Sequence, residues 1–136
     1  MGRHEQREQV FMLLFRVEFH TPEEMPRQER LFFEDNDTVT REKDAAYIEA
    51  KEKAVREKIS EIDQIIDKNT EGWDTTRMGK VELTILRLAV YEMLFDEDVP
   101  KGVAIDEAVE IAKKFGQDNS GGFVNAILAK ISKLGD

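Results

Sequence analysis

Residues 81–95, VELTILRLAVYEMLF, decide the fold. Only Glu82, Thr84, Arg87 and Glu92 are strongly polar in this stretch. Wound at 3.6 residues per turn, it leaves no broad polar face for solvent. A helix that is apolar nearly all round must be covered from several sides, so the segment predicts the central, most buried helix of an all-helical domain. Downstream, Pro100 and Gly102 interrupt the chain. Ile105, Ala108, Val109, Ala112 and Phe115 then mark one face of a further helix, which Gly116 stops as a C′ residue. Asn119 or Ser120 can cap a last helix bearing Phe123, Val124, Ile127, Leu128 and Ile131.

Upstream, Gly72 and Gly79 bracket Trp73-Asp74-Thr75-Thr76-Arg77-Met78, read as a short helical turn. Residues 40–69 read as the longest helix, with Ile48, Val55, Ile59, Ile62 and Ile66 on one face. Glu52 interrupts that seam, which favours a bundle helix over a coiled coil. Thr21-Pro22-Glu23-Glu24 is a helix start, with Thr as N-cap and Pro at the first position, and its helix ends near Asp35-Asn36-Asp37. Residues 3–19 form the first helix, carrying a Val10, Leu14, Val17 stripe and a second stripe of Phe11, Phe15 and Phe19. Core packing is the ordinary role of these rings, and Phe19, at the outer end, is the best placed to meet a partner. No convincing period-two strand occurs. The reading is all-α, about seven helices, in a single domain over 1–136.

Composition narrows the function. Hydrophobic residues make up 40% of the 136 positions and charged residues 36%, enough to fold beneath a well-solvated surface. Cysteine is absent, which removes disulfides, thiolate metal sites and cysteine nucleophiles. The start lacks the features of a secretory signal, and no apolar run approaches the roughly 18 residues of a membrane span, so the expected location is cytoplasmic. The net charge of −9 argues against nucleic acid when taken as a sum. Its distribution is uneven: residues 1–20 carry no net charge, 21–72 carry −6, 73–110 carry −5 and 111–136 carry +2.

No pattern of catalytic residues emerges. His4 and His20 lack carboxylates at metal-ligand spacing. The segment from Asp96 to Glu107 imitates a calcium loop, but Pro100 and Lys101 stand where such a loop needs an oxygen ligand and a glycine. Phosphate-binding glycine loops and a nucleophile elbow are both missing from the sequence. No cofactor is expected, and the acidic side chains fall mostly on polar helix faces. The turn Asn119-Ser120-Gly121-Gly122-Phe123 reads first as a capped helix start. It could also receive a phosphate on its N–H groups and stack a base on Phe123.

The C-terminal half resembles the NusB transcription antitermination factors. The resemblance rests on Trp73 and Arg77, Val81, ILRLAVYE at 85–92, Val99-Pro100, AIDEAVEIAKKFG at 104–116, Ser120, and FVN at 123–125. Arg3-His4 and Arg7-Glu8 stand where that family places an arginine-rich motif. The likeness spans nearly the whole chain and is weakest between about Pro22 and Asn69. It implies two packed helical subdomains and a non-catalytic adaptor that binds boxA RNA together with the ribosomal protein NusE. Such adaptors support transcription of ribosomal RNA operons with RNA polymerase and other Nus factors.

Carried over by position, the resemblance implies an RNA surface of Arg3, His4, Arg7, Asn119, Ser120 and Phe123, helped by Lys113 and Lys114. It implies a separate NusE surface that includes Phe15, Phe19, Met78 and Glu82. Asn119 is neutral where many relatives are acidic, which lessens repulsion of phosphate. The basic motif is thin, so RNA binding by the chain alone should be weak, with a shallow salt dependence and a strong need for the protein partner. Arg87 and Glu92 are assigned to structure. Two other readings remain: a protein-only helical adaptor, and a detached relative of the RNA-binding domain of ribosomal RNA cytosine methyltransferases.

Overall fold

The apolar segment at the centre of the sequence forms α5 (Lys80–Leu94), with ten of its fifteen residues buried, which requires cover on several sides. The structure, a computed structural model, describes residues 1–133. These contain seven α-helices and no strand, and they divide into two compact units, Met1–Glu57 and a second that begins at Lys58.

In the second unit, α4 (Ile59–Lys68), α6 (Lys101–Phe115) and α7 (Ser120–Ile131) all pack on α5, and α6 and α7 pack on each other. On α6, Ala104, Ala108 and Ala112 are buried at four-residue spacing, so its neighbours can approach a row of small side chains. The core is filled by Ile62, Ile66, Ile85, Leu86, Leu128 and Ile131, each essentially inaccessible to solvent. Burying one such side chain contributes about 1.5–3 kcal/mol. Arg87, on α5, reaches back to α4: its Nε and one terminal nitrogen donate to the two carboxylate oxygens of Asp63 at 2.9 and 2.8 Å. The structural assignment of Arg87 thereby gains its partner.

In the first unit, α1 (Arg3–Phe15) packs on α3 (Glu42–Glu57) and on α2 (Met25–Glu34). The predicted first helix is shorter than its pattern: Arg16–Phe19 tightens into a 3-10 turn. Val10 and Leu14 are buried as their stripe requires, whereas Val17 is only half-buried. The Phe stripe is graded, with Phe11 buried, Phe15 half-buried and Phe19 exposed. Thr21 caps the next element as read: Glu24 accepts from the Thr21 N–H at 2.8 Å, and this hydrogen bond holds the Glu24 carboxyl below its ordinary range. The Pro22–Glu24 turn is 3-10, and α2 follows it.

The long helix read over 40–69 is two helices. Lys58, with φ −106° and ψ 5°, leaves helical geometry between α3 and α4. The hydrophobic repeat runs from Ile48 to Ile66 without a phase slip, and no Gly or Pro marks the break. The division between the two units falls at the same place, so tertiary packing overrides local pattern here. The segment 73–78, read as a short helical turn, holds a single hydrogen-bonded turn in which the Arg77 N–H donates to the Asp74 carbonyl oxygen at 3.0 Å. The turn is tied down by Asp67 Oδ1, which accepts from the Thr75 N–H at 2.7 Å, and Gly72 supplies its one positive φ, 76°. No described helix is long and apolar enough to cross a membrane.

Candidate functional site

In the second unit a pocket of about 640 Å³ opens between the turn at 73–79, the start of α5 and the loop joining α6 to α7. Trp73, Met78, Glu82, Phe115, Asn119 and Phe123 are among its walls. Its back is built from a serine. Ser120, 1% exposed, accepts from the Gln117 N–H at 2.9 Å and donates through the same oxygen to Glu82 Oε1 at 2.8 Å. One hydroxyl thus ties the loop and the first turn of α7 to the first turn of α5. Asn119 occupies the N-cap position of α7 without capping through its side chain, and its amide is exposed.

Gly116 ends α6 in extended geometry, φ −96° and ψ −164°, so no left-handed conformation calls for glycine there. Space does: a Cβ would lie 2.6 Å from Ser120 Oγ, 2.7 Å from Ser120 Cβ and 2.8 Å from the Ala112 carbonyl oxygen. A tight loop therefore carries the glycine, and its tightness sets the Ser120 latch.

Two of the second unit's candidates, Ser120 expected at the RNA surface and Met78 expected at the NusE surface, are buried. Ser120 is spent inside the protein and does not face an incoming phosphate. Met78, read as exposed apolar contact, is 8% exposed. Glu82 and Met78 also line the same pocket as Asn119, Ser120 and Phe123, so in this unit the expected RNA and protein surfaces are not separate. Lys113 and Lys114 are exposed near the end of α6, Lys113 within 3.6 Å of Glu110 and Lys114 over the ring of Phe115.

The remaining candidates belong to the first unit. Arg3 is exposed, donates to Gln6 Oε1 and lies 4.0 Å from the centroid of the Tyr47 ring. His4 is exposed, with Nε2 3.4 Å from Glu8 Oε1. Arg7 is only 5% exposed, which differs from its expected role as a presented cation. Phe15 and Phe19 meet edge to face at 5.2 Å, and Phe19 leaves 56% of its surface in solvent.

Sequence reasoning missed Trp73 as a site residue. It is 56% exposed and meets Phe123 edge to face, centroids 6.4 Å apart and planes at 77°. The available signal was a large aromatic side chain in a polar turn segment between two glycines.

The family model described as the NusB family matches residues 4–133. The transcription antitermination protein NusB of Agathobacter rectalis is 48% identical, over 97% of this chain and 100% of its own length. That of Lachnoclostridium phytofermentans is 47% identical, over 96% of this chain and 98% of its own. Among solved structures, Thermotoga maritima NusB aligns with a TM-score of 0.83 at 38% identity, covering 98% of this chain and 92% of that one. A chain from a crystal structure of the antitermination factors NusB and NusE in complex with dsRNA aligns with a TM-score of 0.83 at 27% identity, covering 98% of both.

Proposed function

Because the chain belongs to the NusB family of transcription antitermination proteins, we propose that it binds a boxA-type single-stranded RNA together with the ribosomal protein NusE. Its two units act as one RNA-binding domain. It works in the cytoplasm within a larger assembly of RNA polymerase and other Nus factors on ribosomal RNA operons, and it catalyses no reaction. The observation that carries this reading is the rim of the α7 pocket, where the Phe123 ring and the exposed Asn119 amide stand together at a helix start. A ring for a base and a positive helix end for an oxygen are what single-stranded RNA recognition needs.

Arg3 and His4 in the first unit and Lys113 and Lys114 in the second supply exposed positive or titratable groups for phosphates, while Arg7 and Ser120 are buried, each within its own unit. Phe15 and Phe19 of the first unit and Glu82 of the second are assigned to the NusE contact, and Met78 is assigned to it as a wall of the pocket that Glu82 also lines. A partly exposed apolar pair with a carboxylate suits a basic ribosomal protein.

The test is RNA binding measured by fluorescence anisotropy at several salt concentrations, with and without NusE. Phe123→Ala and Arg3→Glu should weaken binding, and NusE should strengthen it, with the helical circular-dichroism signal unchanged. Arg3 rather than Arg7 is chosen for charge reversal, because a glutamate at the buried Arg7 position would perturb folding itself. Equal affinity for wild type and both variants would remove the assigned RNA surface. RNA binding absent even with NusE would leave a protein-only adaptor.

A further inference from the structure

We propose that Trp73 and Phe123 form an aromatic ridge that separates two adjacent unpaired bases of a bound single-stranded RNA, with Trp73 a base-stacking residue. The inference rests on the RNA-binding reading above and adds to it a second ring and a two-base register. The pair stands between two depressions: the pocket of about 640 Å³, and a second of about 220 Å³ bordered by Asn69, Thr70, Ala126 and Lys130. Both rings line both depressions. At 77° and 6.4 Å the rings already touch edge to face, so no base fits between them. A base must therefore stack on the outside of the pair, and the pair has an open depression on each side.

The larger depression matches the volume range of sites for small organic ligands and combines apolar walls with the exposed amides of Gln117 and Asn119. An amide can both donate to and accept from the edge of an unstacked base. Lys80 on the first rim and Lys130 on the second are exposed cations at which a sugar-phosphate backbone crossing the ridge can pass. The turn that holds Trp73 is fixed by Asp67 and by Asp74, whose carboxylate accepts from the Thr76 N–H at 3.1 Å, so the exposed ring is presented from an anchored backbone.

Trp73 is the single tryptophan of the chain, which makes its emission a direct report on the ridge. A single-stranded boxA-type RNA of about 12 nucleotides, within the usual footprint of single-strand binders, is titrated into the full chain with NusE present. Trp73 emission should be quenched, and moving one abasic position along the RNA should locate two adjacent nucleotides whose removal restores it. Trp73→Ala should weaken RNA binding about tenfold, in the range found for loss of a stacked base. The salt dependence should not change, since no phosphate contact is removed. Trp73→Phe should keep most of the affinity, and a fully paired duplex of the same sequence should leave the emission unaltered.

RNA binding without a change in Trp73 emission, or equal quenching by the duplex, overturns the ridge while leaving the RNA-binding reading intact. Quenching by NusE alone with no further change on adding RNA assigns the pocket to the protein partner and likewise overturns it. Loss of all RNA binding by the wild-type chain with NusE removes both readings.

Discussion

Ser120 Oγ donates a 2.8 Å hydrogen bond to Glu82 Oε1 while accepting one from the Gln117 N–H, so a residue expected at the RNA surface and one expected at the protein surface are joined through a single hydroxyl. The consequence is that neither can be changed as an isolated surface group. Ser120→Ala removes both bonds and leaves a half-buried carboxylate without that donor. It should lower stability by about 1.5–3 kcal/mol, the range for hydrogen bonds to charged groups. A urea denaturation curve with an unchanged slope and a lower midpoint is the expected result. No shift in midpoint would show that the latch is energetically idle.

Gly116→Ala tests the same loop from its other side. The added methyl would meet Ser120 Oγ at 2.6 Å and the Ala112 carbonyl oxygen at 2.8 Å. Because one of these is main chain, truncating Ser120 cannot make room. Gly116→Ala should cost about 1–3 kcal/mol, as overpacking does, and should stay costly in the Ser120→Ala background. A full rescue there would mean that the backbone contact relaxes freely.

Asp63 and Arg87 pair through two parallel bonds between α4 and α5, with both side chains mostly covered. Asp63→Ala leaves a guanidinium largely out of water without this carboxylate and should destabilise the chain by about 2–4 kcal/mol. Arg87→Lys should also be costly, because an ammonium cannot reproduce the planar two-bond fork. Thermal melts of the two variants measure this, and a Lys variant as stable as wild type would exclude the fork geometry as the reason for arginine.

The contrast between Arg87 and Ser120 shows what could be read from sequence. The central helix, the α6 stripe and the Thr21 start were legible because burial and capping leave local patterns: an apolar segment at 81–95, alanines and larger apolar residues at helical spacing, a Thr-Pro pair. The break at Lys58 was not, since Ile48 to Ile66 keep one continuous repeat and only the neighbours each half packs against decide the bend. Arg7 and Ser120 were assigned to the surface by position from the family likeness, which does not report burial when polar partners on other segments satisfy the group. Trp73 stood among the residues carrying the family likeness, yet its exposure and its contact with Phe123 exist only once the turn at 73–79 meets the start of α7.

Glu52 makes the stability of the first unit depend on pH. Its side chain is fully buried, with Arg56 Nε 3.2 Å from one carboxylate oxygen and Glu29 paired to the same arginine. Burial outweighs the attraction of Arg56, and repulsion from Glu29 and Glu49 adds to it, so the Glu52 carboxyl is pushed up from 4.5 to about 7. A folded-state value above the unfolded one means that the folded chain holds this proton more tightly. The stabilising effect of protonation is fully present below about pH 4.5 and is lost as the pH rises to about 7. Glu52→Gln keeps the shape but cannot ionise. It should be more stable than wild type at pH 8, by on the order of 2–3 kcal/mol, and should flatten the change in stability between pH 4.5 and 7. Urea midpoints measured across that range check the sign, and a wild-type chain that gains stability relative to Glu52→Gln as pH rises would contradict it.

Phe19 separates binding from folding most cleanly. Its neighbour Phe15 is half-buried and touches the buried Phe11, with centroids 6.1 Å apart, so truncating Phe15 disturbs the packed part of the stripe. Phe19 ends the stripe on a 3-10 turn with more than half of its surface in solvent. Phe19→Ala should therefore change stability by no more than about 0.5–1 kcal/mol, since little of the ring is withdrawn from water. If the ring anchors NusE, its loss removes apolar area that becomes buried only in the complex, and affinity should fall about tenfold or more, as for an aromatic anchor. Calorimetric titration of NusE into wild type, Phe15→Ala and Phe19→Ala, alongside their melting temperatures, distinguishes the cases. A Phe19→Ala chain that melts normally and binds NusE with wild-type affinity would take Phe19 out of the interface. Weakened binding without loss of stability would place it there, because an exposed ring that contributes little to the fold affects affinity only through what covers it.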